Sequence, residues 1–193
     1  MGINLQKGQK ISLDKEAGGA LTSIIMGLGW DAVKKKGILG FGGGSETIDL
    51  DASCLLFDAS KQLIDAVWFR QLRSQDGSIQ HTGDNRTGDG EGDDEQIIVN
   101  LSVVPASVQS LVFTVNCFTG QDFSQVANAF CRMVNKGNNK EIARYDLSVQ
   151  GKHSAQIMCK VYRHNNEWKM HAIGENGVGR TFQELLPQIL PHL

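Results

Sequence analysis

The chain has 193 residues, a formal net charge of −2 and 21% charged side chains. That length suits a single domain spanning 1–193 with a sizeable core, and the near-neutral balance gives no global field for nucleic acid or an anionic membrane. No apolar run approaches the ~18 residues of a membrane-spanning helix.

Met1 to Lys10 alternates polar and apolar residues without the apolar stretch of a secretory signal. It is read as part of the fold, and the cytoplasm is the expected address. Cys54, Cys117, Cys131 and Cys159 lie far apart, form no CxxC pair and sit in apolar or strand-like stretches. They are expected to be reduced core thiols rather than a zinc or redox site.

Short strands separated by turns predict a mainly β protein, a two-sheet β-sandwich with short helices and a C-terminal helix. Ile11 to Asp14 and Ser23 to Met26 are β-prone pieces. From Ile48 to Asp58, the residues Ile48, Leu50, Ala52, Cys54 and Leu56 share one face. The other face starts acidic at Asp49 and Asp51 and turns apolar at Leu55 and Phe57. Leu63 to Arg70 follows a turn at Asp58 to Lys61. Ile97, Val99, Leu101 and Val103 alternate as far as Pro105, and Leu111, Phe113, Val115 and Cys117 mark another strand.

Phe123, Val126, Ala127 and Phe130 have helical spacing and predict a short helix before Val134. Two hairpins are expected. One turns at Lys136-Gly137-Asn138-Asn139 into Glu141 to Leu147, and the other joins Gln156–Arg163 to Trp168–Ile173. Phe182, Leu185, Leu186, Ile189 and Leu190 form a helical stripe, with a capping-box pattern at Thr181 and Glu184. Pro187 should shorten or kink this helix.

Two loops are rich in glycine. Lys34 to Ser45 lacks the GK[ST] ending of a phosphate-binding loop and is read as a flexible insertion. The other, Asp84 to Glu95, carries six carboxylates (Asp84, Asp89, Glu91, Asp93, Asp94, Glu95) against a lone cation, Arg86. Two unit charges about 4 Å apart cost roughly 1 kcal/mol in water and roughly 4 kcal/mol at an effective dielectric near 20. Composition alone leaves two readings open: the acids splay into solvent, or they hold a cation.

Gly83, Gly88, Gly90 and Gly92 permit turns that aim carbonyl oxygens inward, and Asn85 adds an amide oxygen. Carboxylates, an amide and carbonyls are the donors that a hard ion with six to eight oxygen ligands takes, which suits Ca²⁺ better than Mg²⁺ or zinc. The spacing is not that of an EF-hand, and a strand pattern follows the loop. Strand parity predicts Asp93 and Glu95 on the side of Ile97, with Asp94 opposite. Asp49, Asp51 and Asp31 are candidates to complete the site if their strand ends lie beside the loop.

Several segments resemble the TerD family of tellurium-resistance and stress proteins. They are Gly27-Leu28-Gly29-Trp30-Asp31, Asp49-Leu50-Asp51-Ala52-Ser53 and His81-Thr82-Gly83-Asp84-Asn85-Arg86-Thr87-Gly88. Further matches are Ala143-Arg144-Tyr145-Asp146-Leu147 and Tyr162-Arg163-His164-Asn165 with Glu167-Trp168-Lys169. The long glycine-rich loop resembles the TerZ or TerX branch.

The resemblance implies a β-sandwich with two Ca²⁺ sites near the second and third segments. It also implies bacterial tellurite resistance and stress defence alongside companion Ter proteins at the membrane. By matching motif it assigns Asp49, Asp51, Asp84, Asn85, Asp89, Glu91, Asp93, Asp94 and Glu95 to metal binding. The expected function is a calcium-binding, non-enzymatic stress protein that works through metal-stabilised loops and partner binding, without nucleic acid and without inserting into the membrane. The alternatives are a metal-dependent hydrolase using His81 and Arg86, which lacks a nucleophile motif, and a tellurite reductase, which lacks paired thiols or a redox cofactor.

Overall fold

The structure, a computed structural model, describes residues 2–32, 49–83, 92–146 and 151–193. The Lys34–Ser45 loop, most of the acidic loop and Leu147 therefore lie outside the described residues. In chain order the elements are β1 (Ile3–Asn4), β2 (Lys10–Ser12), α1 (Leu13–Ala17), β3 (Ser23–Ala32), β4 (Leu50–Phe57), β5 (Leu63–Val67) and β6 (Ile79–His81). They continue with β7 (Glu95–Asn100), β8 (Ser110–Cys117), β9 (Val126–Asn135), β10 (Lys140–Asp146), β11 (Ala155–His164), β12 (Glu167–Gly177) and α2 (Phe182–Ile189).

These strands form two six-stranded sheets, ordered β1-β10-β9-β3-β7-β6 and β2-β12-β11-β8-β4-β5. The expected sandwich is the observed architecture. Period-2 alternation drives it: Leu50, Ala52, Cys54 and Leu56 of β4 face Ile97 and Val99 of β7 across one inter-sheet core. Leu111, Phe113, Val115 and Cys117 of β8 join the same cluster. The opposite face of β4 buries Leu55 and Phe57 in a second cluster with Phe182, Leu185 and Ile189 of α2. The C-terminal helix thus covers half of one outer sheet face.

Both expected hairpins are present. The β11–β12 turn places Asn165 and Asn166 at φ 51° and 59°, the left-handed pair that a two-residue turn of matching twist needs. α2 runs eight residues through Pro187 and ends in a 3₁₀ turn, Leu190–His192. Thr181 occupies its N-cap position without a side-chain cap bond. Glu184 instead accepts the Arg180 N–H, at 3.1 Å.

Three local expectations are corrected. The Ile11–Asp14 strand stops at Ser12, whose side chain caps the short helix α1. β7 ends at Asn100, leaving Val103 exposed rather than alternating into the core. The predicted helix over Phe123–Phe130 is a 3₁₀ turn, Phe123–Gln125, followed directly by β9. Its helix-like spacing comes from a bulge: the β3–β9 register shifts between Gly29 and Asp31, and Asn128 takes φ 52°.

All four cysteines are free and buried. Burial pushes the Cys117 thiol up to about 11 and Cys131 to about 12, and raises Cys54 and Cys159 as well. The folded state favours the protonated thiol, so this contribution is complete below the ordinary value of 9.0 and is lost as pH climbs toward about 12. Iodoacetamide at pH 8 should label the native protein slowly and modify all four thiols after denaturation, as read by mass spectrometry. Leu185→Ala should lower stability by about 2–5 kcal/mol in urea unfolding, because Leu185 is fully buried between α2 and the sheet.

Candidate functional site

Several strand ends meet at one end of the sandwich. Leu28 of β3 pairs with Glu95 of β7, and His81 of β6 pairs with Ile97. The Ala52 N–H of β4 donates to Glu95 Oε2 at 2.7 Å, which brings the start of the other sheet to the same place. Asp31, Asp49, Asp51, Asp93, Asp94 and Glu95 all belong to this end. Asp84, Asn85, Asp89 and Glu91 lie outside the described residues, as does Arg86. Among the described residues, no three His, Cys, Asp or Glu side chains converge as a metal-holding group.

The acids here have different tasks. Asp93 does not share the side of Ile97. Gly92, at φ 102°, turns the chain before β7. The Asp93 carboxylate therefore lies on the outer face, where Arg132 grips it through Nε (2.7 Å) and a terminal nitrogen (3.1 Å). Gln96 Nε2 adds a third bond at 3.0 Å. Gly27 makes room for this arrangement, since a Cβ there would overlap the Asp93 carboxylate. This carboxylate hydrogen bonding is the first cause of the raised Arg132 pKa. Asp93 is thus committed to a fork with arginine.

Asp94 ties β7 to β3: its N–H donates to the Leu28 carbonyl at 2.8 Å, and its Oδ2 accepts the Trp30 N–H at 2.8 Å. Glu95 points inward and is fully buried. Its Oε2 also lies 3.3 Å from His81 Nε2. The His81 Nδ1 accepts the Gly83 N–H at 3.1 Å, which orients the ring and fixes the first turn after β6. Asp31 is exposed and accepts from Asn128 Nδ2 at 2.8 Å, holding the bulge in β9.

Asp49 and Asp51 are buried at the start of β4, where alternation sets Asp51 on the outer face with Leu55 and Phe57. Asp51 stands directly opposite Asn116 of β8. The Asn116 amide donates from Nδ2 to the Gly179 carbonyl at 3.0 Å. Among the described residues its Oδ1, fully buried, has no hydrogen-bond partner. A buried orphan oxygen is costly unless something satisfies it. Two carboxylates beside an amide oxygen form an all-oxygen donor set, so the residues present fit a hard cation.

Asn116 and Arg132 were missed in the sequence. The only signal for Asn116 was a polar residue inside the apolar run Leu111 to Cys117. Arg132 carried no comparable mark.

Arg132→Met should cost about 1.5–3 kcal/mol by leaving the buried Asp93 carboxylate without its charged donor. Gly27→Ala should destabilise through the same group. Thermal unfolding of both variants without added metal checks this.

A family profile described as the TerD domain matches residues 1–188. The tellurium resistance protein TerZ of Serratia marcescens is 49% identical over 189 residues, covering 97% of each chain. The stress response protein SCP2 of Bacillus subtilis (strain 168) is 43% identical, covering 96% of this chain and 98% of its own. A crystal structure of a homologue of telluride resistance protein (TerD) from Streptomyces coelicolor A3(2) superposes with a TM-score of 0.71 at 17% identity. It covers 86% of this chain and 96% of that one, a likeness of fold alone.

Proposed function

The chain belongs to the TerD family, and from that premise we propose that it is a calcium-binding, non-enzymatic stress-response protein associated with tellurite resistance. It acts through metal-stabilised loops and partner binding, in the cytoplasm and with companion Ter proteins at a membrane-associated complex. The observation that carries this reading is the buried cross-strand pair Asp51–Asn116, whose amide Oδ1 has no hydrogen-bond partner among the described residues, at the end where the acidic loop's flanks meet.

In this reading Asp49, Asp51 and Asn116 contribute to one of two Ca²⁺ sites, with Asp84, Asn85, Asp89 and Glu91 supplied by the loop. Asp94 and Glu95 anchor the loop's exit and belong to the donor set, and Asp31 borders the site. Asp93 belongs to the scaffold, since Arg132 holds both its oxygens. Bound Ca²⁺ supplies the positive charge that offsets the crowded carboxylates.

Two features support a non-enzymatic role. His81, the base of the alternative hydrolase, is buried between Glu95 and the Gly83 N–H instead of opening onto a cleft. The four thiols that reduction would use are buried and unpaired with one another.

At a free Ca²⁺ concentration of about 100 Kd, binding should stabilise the fold by about 2.7 kcal/mol. A rise in melting temperature with Ca²⁺, reversed by chelator, is the expected outcome; identical melting curves would count against the proposal. Calorimetric titration should give two ions per chain. Asp51→Asn should abolish or weaken one of them at least tenfold, while Asp93→Asn should alter stability without changing the stoichiometry.

A further inference from the structure

The outer face of the second sheet has two halves. α2 covers the half built from β4, β8 and the start of β11. The other half, on β2, β12 and β11, presents basic side chains. Lys10, His171 and Lys160 stand directly opposite one another across the three strands. In the next row Ser12, Lys169 and Tyr162 are likewise aligned.

Lys10 and Lys160 carry the row's positive charge on either side of His171. Among the described residues, neither Lys10, Lys160 nor Lys169 lies in an ion pair. Lys160 is half-buried, donates to the His192 carbonyl and lies 5.1 Å from the Tyr162 ring centre. Burial, then Lys10 and Lys61, lowers the Lys160 pKa; burial, then Lys10, Lys160 and His192, lowers that of His171. Beside the row, an open cavity of about 350 Å³ is lined by Lys10, Ser12, Lys15, Tyr162 and Lys169, with Glu16 also in its lining. Glu167, next to it, accepts the Ser12 hydroxyl at 3.0 Å.

We propose that this face, on β2, β12 and β11, is a binding site for a diphosphate group. The Lys10–His171–Lys160 row spans two interstrand spacings, about 10 Å. That exceeds the reach of one phosphate and suits two linked ones, whose charge would offset the mutual repulsion of the row. The Tyr162 hydroxyl provides a neutral donor at its flank. The site is independent of the calcium proposal: Lys160 lies five residues along β11 from Ala155, about 17 Å at the strand rise.

The test is an amide NMR titration of the full chain at fixed ionic strength without added divalent metal, using pyrophosphate, ADP, inorganic phosphate and chloride. Pyrophosphate should shift Lys10, Lys160 and His171 saturably, at least tenfold more tightly than phosphate, with chloride inert. Lys10→Gln, an exposed change, should weaken pyrophosphate at least threefold, and the Lys10→Gln/Lys160→Gln pair at least tenfold. Lys136→Gln, in the β9–β10 turn, should have no effect. ADP and pyrophosphate of equal affinity would mean that the diphosphate alone is read; tighter ADP would mean an esterified ligand. Shifts confined to other regions, equal responses to chloride, unchanged affinity in the variants, or tighter binding of a polyglutamate peptide would each overturn the proposal.

Discussion

A buried carboxylate governs the architecture of the acidic end. Glu95 leaves the first strand position of β7, crosses to the other sheet and accepts the Ala52 N–H, with His81 against the same oxygen. A charge removed from water is costly unless it is met by hydrogen bonds and opposite charge. Satisfying it therefore fixes the starts of β4 and β7 and the end of β6 relative to one another. The acids on those strand ends inherit their positions from that link.

Room for this arrangement is made by residues that lack side chains. Gly27 and Gly29 alternate with Leu28 and Trp30, so β3 is apolar toward the core and bare on its outer face. Asp93 lies over Gly27, and Phe130 and the Gly92 carbonyl lie over Gly29. Arg132 then closes over Asp93 and reaches toward Glu141, 3.6 Å away. A strand that reads as weak by propensity is thus one that its neighbours cover.

The two halves of the second sheet's outer face solve different electrostatic problems. Near α2, Asp49 and Asp51 are buried beside Asn116, so negative charge gathers there. On β2, β12 and β11, two lysines flank a histidine in one register row, so positive charge gathers there. The near-zero net charge conceals both, because the two sets cancel in the sum while remaining separated along the strands. Local register, rather than overall charge, decides what each region attracts.

Much of the fold was legible in the sequence. Period-2 alternation in β4, β7 and β8 and the asparagine-rich turns are local properties, so they identify a sandwich without tertiary information. The 3.6-residue stripe of α2 is equally local. The helix predicted at Phe123–Phe130 failed because a bulge at Asn128, pinned by Asp31, imitates helical spacing, and only the pairing with β3 distinguishes them. The clustering of acids was visible too, but their tasks were not. One turn at Gly92 sends Asp93 to Arg132 and leaves Glu95 facing the core. The sequence by itself determined which strands and charges the protein possesses; the tertiary structure decided which charges meet, because side-chain direction is set by bulges, register and partners remote in the chain.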